Sequence, residues 1–124
     1  MDEKFIEVLK TPPDSALAIV TQGEDGPHVV NSWNSYVILS GQERLLLPAG
    51  RMYETEKNVR RDDRVRLTVS NREVQGKAYK GTGFLVTGRA RFKTEGEDFE
   101  TVKKAFPWAR AVLVIEVKTT EQTL

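Results

Sequence analysis

The chain has 124 residues, of which 39% are hydrophobic and 30% charged, with a formal net charge of +1 and no cysteine. A single domain of this length (residues 1–124) is expected to bury roughly two-thirds of the surface its unfolded chain exposes, and so mixed a charge supplies no field for nucleic acid. The lack of cysteine excludes disulfides, thiolate nucleophiles and Cys-ligated metal sites, and no window nears the ~20 apolar residues of a membrane span, so a cytoplasmic protein without nucleic-acid or membrane partner is expected.

In chain order, "KFIEVLK" places Phe5, Ile6 and Leu9 near one helical face, and "TPPD" ends that helix because neither proline can donate a backbone hydrogen bond. "ALAIVTQ" and "HVVNSWNSYVIL" have the composition of strands and flank "GEDG", whose Asp-Gly pair suits a tight hairpin turn. Within the second strand, "VVNSWNSYVIL" (29–39) does not alternate as a half-buried strand should. Val29, Asn31, Trp33 and Ser35 fall on one parity, Val30, Ser32, Asn34 and Tyr36 on the other, and both faces turn polar in the middle. An indole set among amides and hydroxyls offers what a planar heteroaromatic ligand needs: an apolar surface for its ring and fixed hydrogen-bond partners for its edge.

Beyond the break "SGQE" lies the strand-like "RLLLP", so the first half reads as an antiparallel meander. Helical stretches follow at roughly 52–61 ("MYETEKNVRR") and 97–104 ("EDFETVKK"), the latter with acidic residues in its first turn. "RVRLTVS", "GFLVTGRARF" and "ARAVLVIEVK" supply three more strands. Strands joined mostly by short turns, with helices confined to a few connections, argue for a small β-barrel with appended helices.

Three motifs carry chemistry in principle. "GKAYKGTGF" has two glycines at phosphate-loop spacing but no lysine after the second, and it leads into a strand, so it reads as a hairpin loop. His28, the only histidine, has no visible partner for acid–base work and reads as a residue of the turn. "GRMYETEKNVRRDDRV" (50–65) is a strand–turn–helix junction whose free N–H groups and helix dipole favour a phosphate, with Arg51 and Thr55 as side-chain donors. Salted as it is with Glu54, Glu56, Asp62 and Asp63, the same stretch also reads as a solvated mixed-charge helix.

"TQGEDGPH", "NSWNSY", "LLLPAGRM", "TEKNVRRDDRV", "GTGF", "WARA" and "EQTL", taken in this order, resemble the FMN-binding split-barrel superfamily typified by pyridoxamine-phosphate oxidase over nearly the whole chain. The resemblance implies a mainly β fold, a six-stranded antiparallel split β-barrel with Greek-key-like connections and a few short helices. It implies a homodimer with FMN near the subunit interface. Asn31, Ser32, Trp33, Asn34, Ser35 and Tyr36 would line the flavin ring, while Pro48, Ala49, Gly50, Arg51 and Met52 would wrap the ribityl–phosphate tail. Thr55 would bind the phosphate, and Trp108 and the partner subunit's Leu124 would close over the ring. Where the related pattern has a basic residue just before this threonine, the chain has Glu54, which leaves Arg51 as the candidate for neutralising the phosphate.

The expected function is that of a redox protein passing electrons to a partner protein or from a small donor, with no residue required to be catalytic. A flavin-dependent oxidoreductase acting on a small substrate is the alternative, and a pyridoxamine-phosphate oxidase would need a second basic cluster, for which Lys77 and Lys80 are the only candidates. A barrel holding a deazaflavin or haem is the third possibility.

Overall fold

Helix α1 (Glu3–Lys10) starts where the Asp2 carboxylate accepts the N–H groups of Lys4 and Phe5, and it stops at Thr11, ahead of the prolines. Its buried face is Phe5, Val8 and Leu9, so Val8 takes the core position expected for Ile6. The computed structural model describes all 124 residues, and after α1 it runs β1 (Ala16–Gly23), β2 (Gly26–Trp33), a 3-10 turn (Asn34–Tyr36), β3 (Ile38–Ser40) and β4 (Arg44–Ala49). Next come α2 (Tyr53–Arg61), β5 (Arg64–Gln75), β6 (Lys80–Lys93), α3 (Glu97–Ala105) and β7 (Ala111–Gln122). No helix is long and apolar enough to cross a membrane.

The strands form one antiparallel sheet in the order β2-β1-β5-β6-β7-β4-β3. Its two edge strands are consecutive in sequence. Laid flat, seven strands would hold their edges about 29 Å apart, whereas the chain from Trp33 to Ile38 can span only about 18 Å. The sheet must therefore curl until its edges nearly meet, giving an open barrel with its seam at the 3-10 turn. Helix α1 packs at that seam, and Phe5 meets Phe84 inside edge-on, ring centres 5.7 Å apart. Leu17, Ile19, Leu45, Leu47, Leu67, Val86, Leu113 and Ile115 fill the barrel around them.

The stretch 29–39 is not one strand, as its composition predicts, but two strands at opposite edges, which makes the total seven rather than six. The break has a local cause. The Asn34 side chain turns inward and its amide donates to Val8 O (3.3 Å) and Ser70 O (2.8 Å), while the Asp14 carboxylate takes both the N–H and the hydroxyl of Ser35. Side-chain bonds of this kind compete with a sheet ladder and end it. Up to that point β2 does alternate, with Val29, Asn31 and Trp33 outward and Val30 and Ser32 inward.

The helices, β1 and β4 lie within one residue of their expected stretches, whereas β5, β6 and β7 depart from theirs by three to five residues at one end, and His28 belongs to a strand rather than to the turn. "GKAYKGTGF" contains the β5–β6 hairpin turn, and His28 lies in β2 opposite Thr21. The β4-to-β5 connection passes over β7 and β6, carrying α2 with it. That crossover delivers the start of α2 to the open end of the barrel.

Candidate functional site

A cleft of about 280 Å³ lies where the end of β2 faces the end of β4. Asn31, Ser32 and Trp33 line it from β2, Tyr36 from the seam turn, Pro48, Gly50, Arg51 and Met52 from β4 and the turn after it, and Trp108 from the segment before β7. Pro48 is tolerated because β3 pairs only with residues 44–46, leaving that part of β4 bonded on one side. Gly50 sits close under the indole: a Cβ there would lie 3.3 Å from the Trp108 ring, so a larger residue would need the ring to shift by a few tenths of an ångström. Tyr36, Phe106 and Trp108 form a cluster with ring centres 5.0 to 5.8 Å apart. Trp33 is 48% and Trp108 52% exposed, a large apolar area for two indoles at one cleft.

Beyond Met52 the chain enters α2 without a side-chain cap. Met52 itself has φ 61, in the left-handed region, a conformation that costs a non-glycine residue of order 1–3 kcal/mol and persists only when neighbours hold it. The first N–H to bond inside the helix is that of Glu56, to Met52 O at 2.9 Å, so the N–H groups of Tyr53, Glu54 and Thr55 have no protein partner. Thr55 is 1% exposed, and its hydroxyl oxygen is buried without a hydrogen bond. A buried orphan hydroxyl costs about 1–3 kcal/mol. Three unpaired donors and this hydroxyl in the first turn of one helix form a donor set suited to a phosphomonoester, one turn behind the Met52 edge of the cleft.

The mixed charge of 50–65 sorts itself into pairs. Arg60 and Arg110 hold Glu56, Arg61 reaches Glu24, and Arg89 pairs with Asp63. Arg64 pairs with Asp62, and its hydrogen bonds hold the Asp62 carboxyl down at about 2. Arg51 is exposed and enters no ion pair, which leaves its charge free for an anion at the cleft. At the far side of the barrel, the Arg44 guanidinium, aided by Lys93, holds the Asp98 carboxyl below the usual carboxylate range and ties α3 to β4 and β6.

All nine residues lining the cleft are among those that the sequence singles out. The other five lie elsewhere. Ala49 is wholly buried in β4, and only its carbonyl acts, accepting from Arg110 N–H. Thr55 stands behind the cleft, as described. Asn34 and Ser35 are committed to the seam bonds and line a different hollow with Leu9, Lys10, Val37 and Leu39, because the strand that would have carried them into the cleft ends at Trp33. Leu124 lies at the β5–β6 hairpin, where its carbonyl accepts from Lys77 N–H (2.7 Å) beside Tyr79. Arg110 and Tyr53 escape the sequence reading, although an arginine at the head of the apolar run "AVLVI" is itself a signal of a fixed polar partner.

Known proteins bear on this geometry. The pyridoxamine 5'-phosphate oxidase family pattern matches residues 1–123. This chain belongs to that family. It is 52% identical over 120 residues to the FMN-binding protein of Nitratidesulfovibrio vulgaris (strain DSM 19637 / Miyazaki F), covering 97% of this chain and 96% of that one. Its fold is similar to that of Group A Streptococcus HupZ, with a TM-score of 0.80 at 16% identity, covering 98% and 93% of the two chains. It is also similar to the FMN-binding protein of Syntrophomonas wolfei, with a TM-score of 0.72 at 17% identity, covering 98% and 85%. The split-barrel architecture is thus shared at sequence distances where only the fold carries over.

Proposed function

We propose that the chain binds FMN in this cleft and works as an electron-transfer flavoprotein. The observation that carries the reading is the buried, partnerless hydroxyl of Thr55 beside three free N–H groups at the start of α2, which a phosphate would satisfy together. Arg51 would offset the phosphate charge, acting against Glu54 at the second position of the helix. Trp33, Tyr36 and Trp108 give an apolar bed for a planar ring, and Asn31 and Ser32 give polar partners for its edge. Bound FMN supplies the redox chemistry, while these residues orient it and set its exposure to water. The 52% identical relative, itself called an FMN-binding protein, supports the choice of cofactor.

A homodimer belongs to the same reading. At about 280 Å³ the cleft falls near the lower end of ligand pockets, so a ring lying in it keeps one face uncovered. The adjoining outer sheet face carries Trp33 opposite Ala16, Asn31 opposite Ala18, and Val29 opposite Val20, with Leu85 two strands beyond Ala18. Val29 is 58% exposed there, and Arg66 beside Val20 and Glu121 beside Leu85 border the apolar strip, which we take as the surface that a second copy would cover. The partner's Leu124 would then close over the ring. Lys77 and Lys80 do not favour a pyridoxamine-phosphate substrate: Lys77 donates to Gln122 O and Lys80 pairs with Glu73. The visible spectrum of the purified protein, with and without added FMN, tests the reading. A bound flavin spectrum at one FMN per chain is expected, and a protein that stays colourless after FMN addition overturns it.

A further inference from the structure

The strained turn at Met52 is held by one side chain from another part of the sheet. Arg110 donates its backbone N–H to Ala49 O at 2.9 Å, next to the rung where β7 pairs with β4. Its side chain then crosses the turn. Nε and Nη2 donate to Arg51 O at 3.1 and 2.6 Å, and Nη1 lies 2.9 Å from Glu56 Oε1. The guanidinium carbon sits 4.1 Å from the centre of the Tyr53 ring. One group therefore grips the residue before Met52, the residue after it, and the end of the first helical turn.

From this geometry we infer that Arg110 is the positioning residue of the anion site, setting the angle between turn and helix so that the Tyr53, Glu54 and Thr55 N–H groups and the Thr55 hydroxyl meet one phosphate. The inference rests on the flavin reading in taking that phosphate to be the ligand's own. Arg110 also has an electrostatic part. Glu56 is a nearly buried carboxylate in the same turn, and without Arg110 its only counter-charge is Arg60, whose side chain is 76% exposed. A lysine would keep the charge but not the planar fork that spans Arg51 O and Glu56 together.

The test is the preference for FMN over riboflavin, measured as the ratio of their dissociation constants by flavin fluorescence titration of full-length protein. The wild type is expected to favour FMN by tenfold or more. Arg110→Gln should reduce that ratio roughly tenfold while riboflavin affinity changes little, the loss of one charge-assisted contact. Arg110→Lys should fall between the two. In Arg110→Gln combined with Glu56→Gln, a recovered ratio assigns the effect to charge, and a ratio still lost assigns it to the fork; both support a positioning role. An Arg110→Gln protein that loses FMN and riboflavin equally, or neither, overturns the inference. Inorganic phosphate separates it from the flavin reading. If the wild type binds no flavin yet phosphate raises its Tm, and Arg110→Gln abolishes that rise, the anion site stands and the flavin reading falls. If phosphate has no effect either, both fall, and equal binding of FMN and riboflavin by the wild type removes the anion site alone.

Discussion

The two ends of the cleft are built differently. At the α2 end, the Arg110 guanidinium holds the strained turn at Met52 by short bonds within one chain, next to a helix turn that carries the buried, unpartnered Thr55 hydroxyl. At the Trp33 end, two half-exposed indoles and a tyrosine form a wall with no opposite face. In the proposed flavin reading, the first end needs no rearrangement to meet a charged group, whereas the second leaves the ring to be shielded by a second copy.

That contrast can be broken most severely at Thr55. Thr55→Val keeps the shape and removes the orphan hydroxyl, so FMN affinity is expected to fall about 10–100-fold with riboflavin binding nearly unaffected. The ligand-free protein should melt at the same temperature or slightly higher, since an unsatisfied buried group has gone. A lower Tm without FMN would mean that the hydroxyl already has a partner. At the other end Trp33→Ala should weaken FMN and riboflavin alike, by several-fold, as the loss of one aromatic contact of about 0.5–1.5 kcal/mol predicts. It should also restore part of the flavin emission if the indole is the quencher, and unchanged emission removes that role.

The smallest effect expected at the cleft comes from Asp98, whose carboxyl Arg44 holds below its ordinary range. A carboxylate with a lowered folded-state pKa adds stability above its unfolded value and loses it as the pH falls through the folded one. Denaturation midpoints should therefore drop from about pH 4 downward. Asp98→Asn should lack that component of the drop while leaving the FMN-to-riboflavin ratio at neutral pH intact. A shifted ratio would show that the α3 side of the barrel is coupled to the cleft.

The three helices and most strands are legible because local composition decides them: β-branched runs and an Asp-Gly turn. Of the cleft residues, Asn31, Ser32, Trp33 and Tyr36 stand out in a stretch that breaks strand alternation and Arg51 at a strand–turn–helix junction, whereas Pro48, Gly50, Met52 and Trp108 come only with the family resemblance. The fates of Asn34 and Ser35 were not legible. Both look like their neighbours Asn31 and Ser32, and only contacts from Asp14, Val8 and Ser70 turn them away. Arg110 was missed for the same reason, since its partners Arg51 and Glu56 are more than fifty residues away in the chain. Periodicity reports which way a strand faces, and it is silent on which long-range bond ends the strand.

One carbonyl ties the molecule's beginning to this ring wall. Val8 O, in the last turn of α1, accepts from both Asn34 and Asn71, so that turn is fastened at once to the seam and to the middle of β5. In hydrogen-exchange terms, α1, residues 34–36 and the centre of β5 should open as one cooperative unit. Trp33 and Tyr36 flank the seam, so undocking of the N-terminal helix is expected to loosen the ring wall as well.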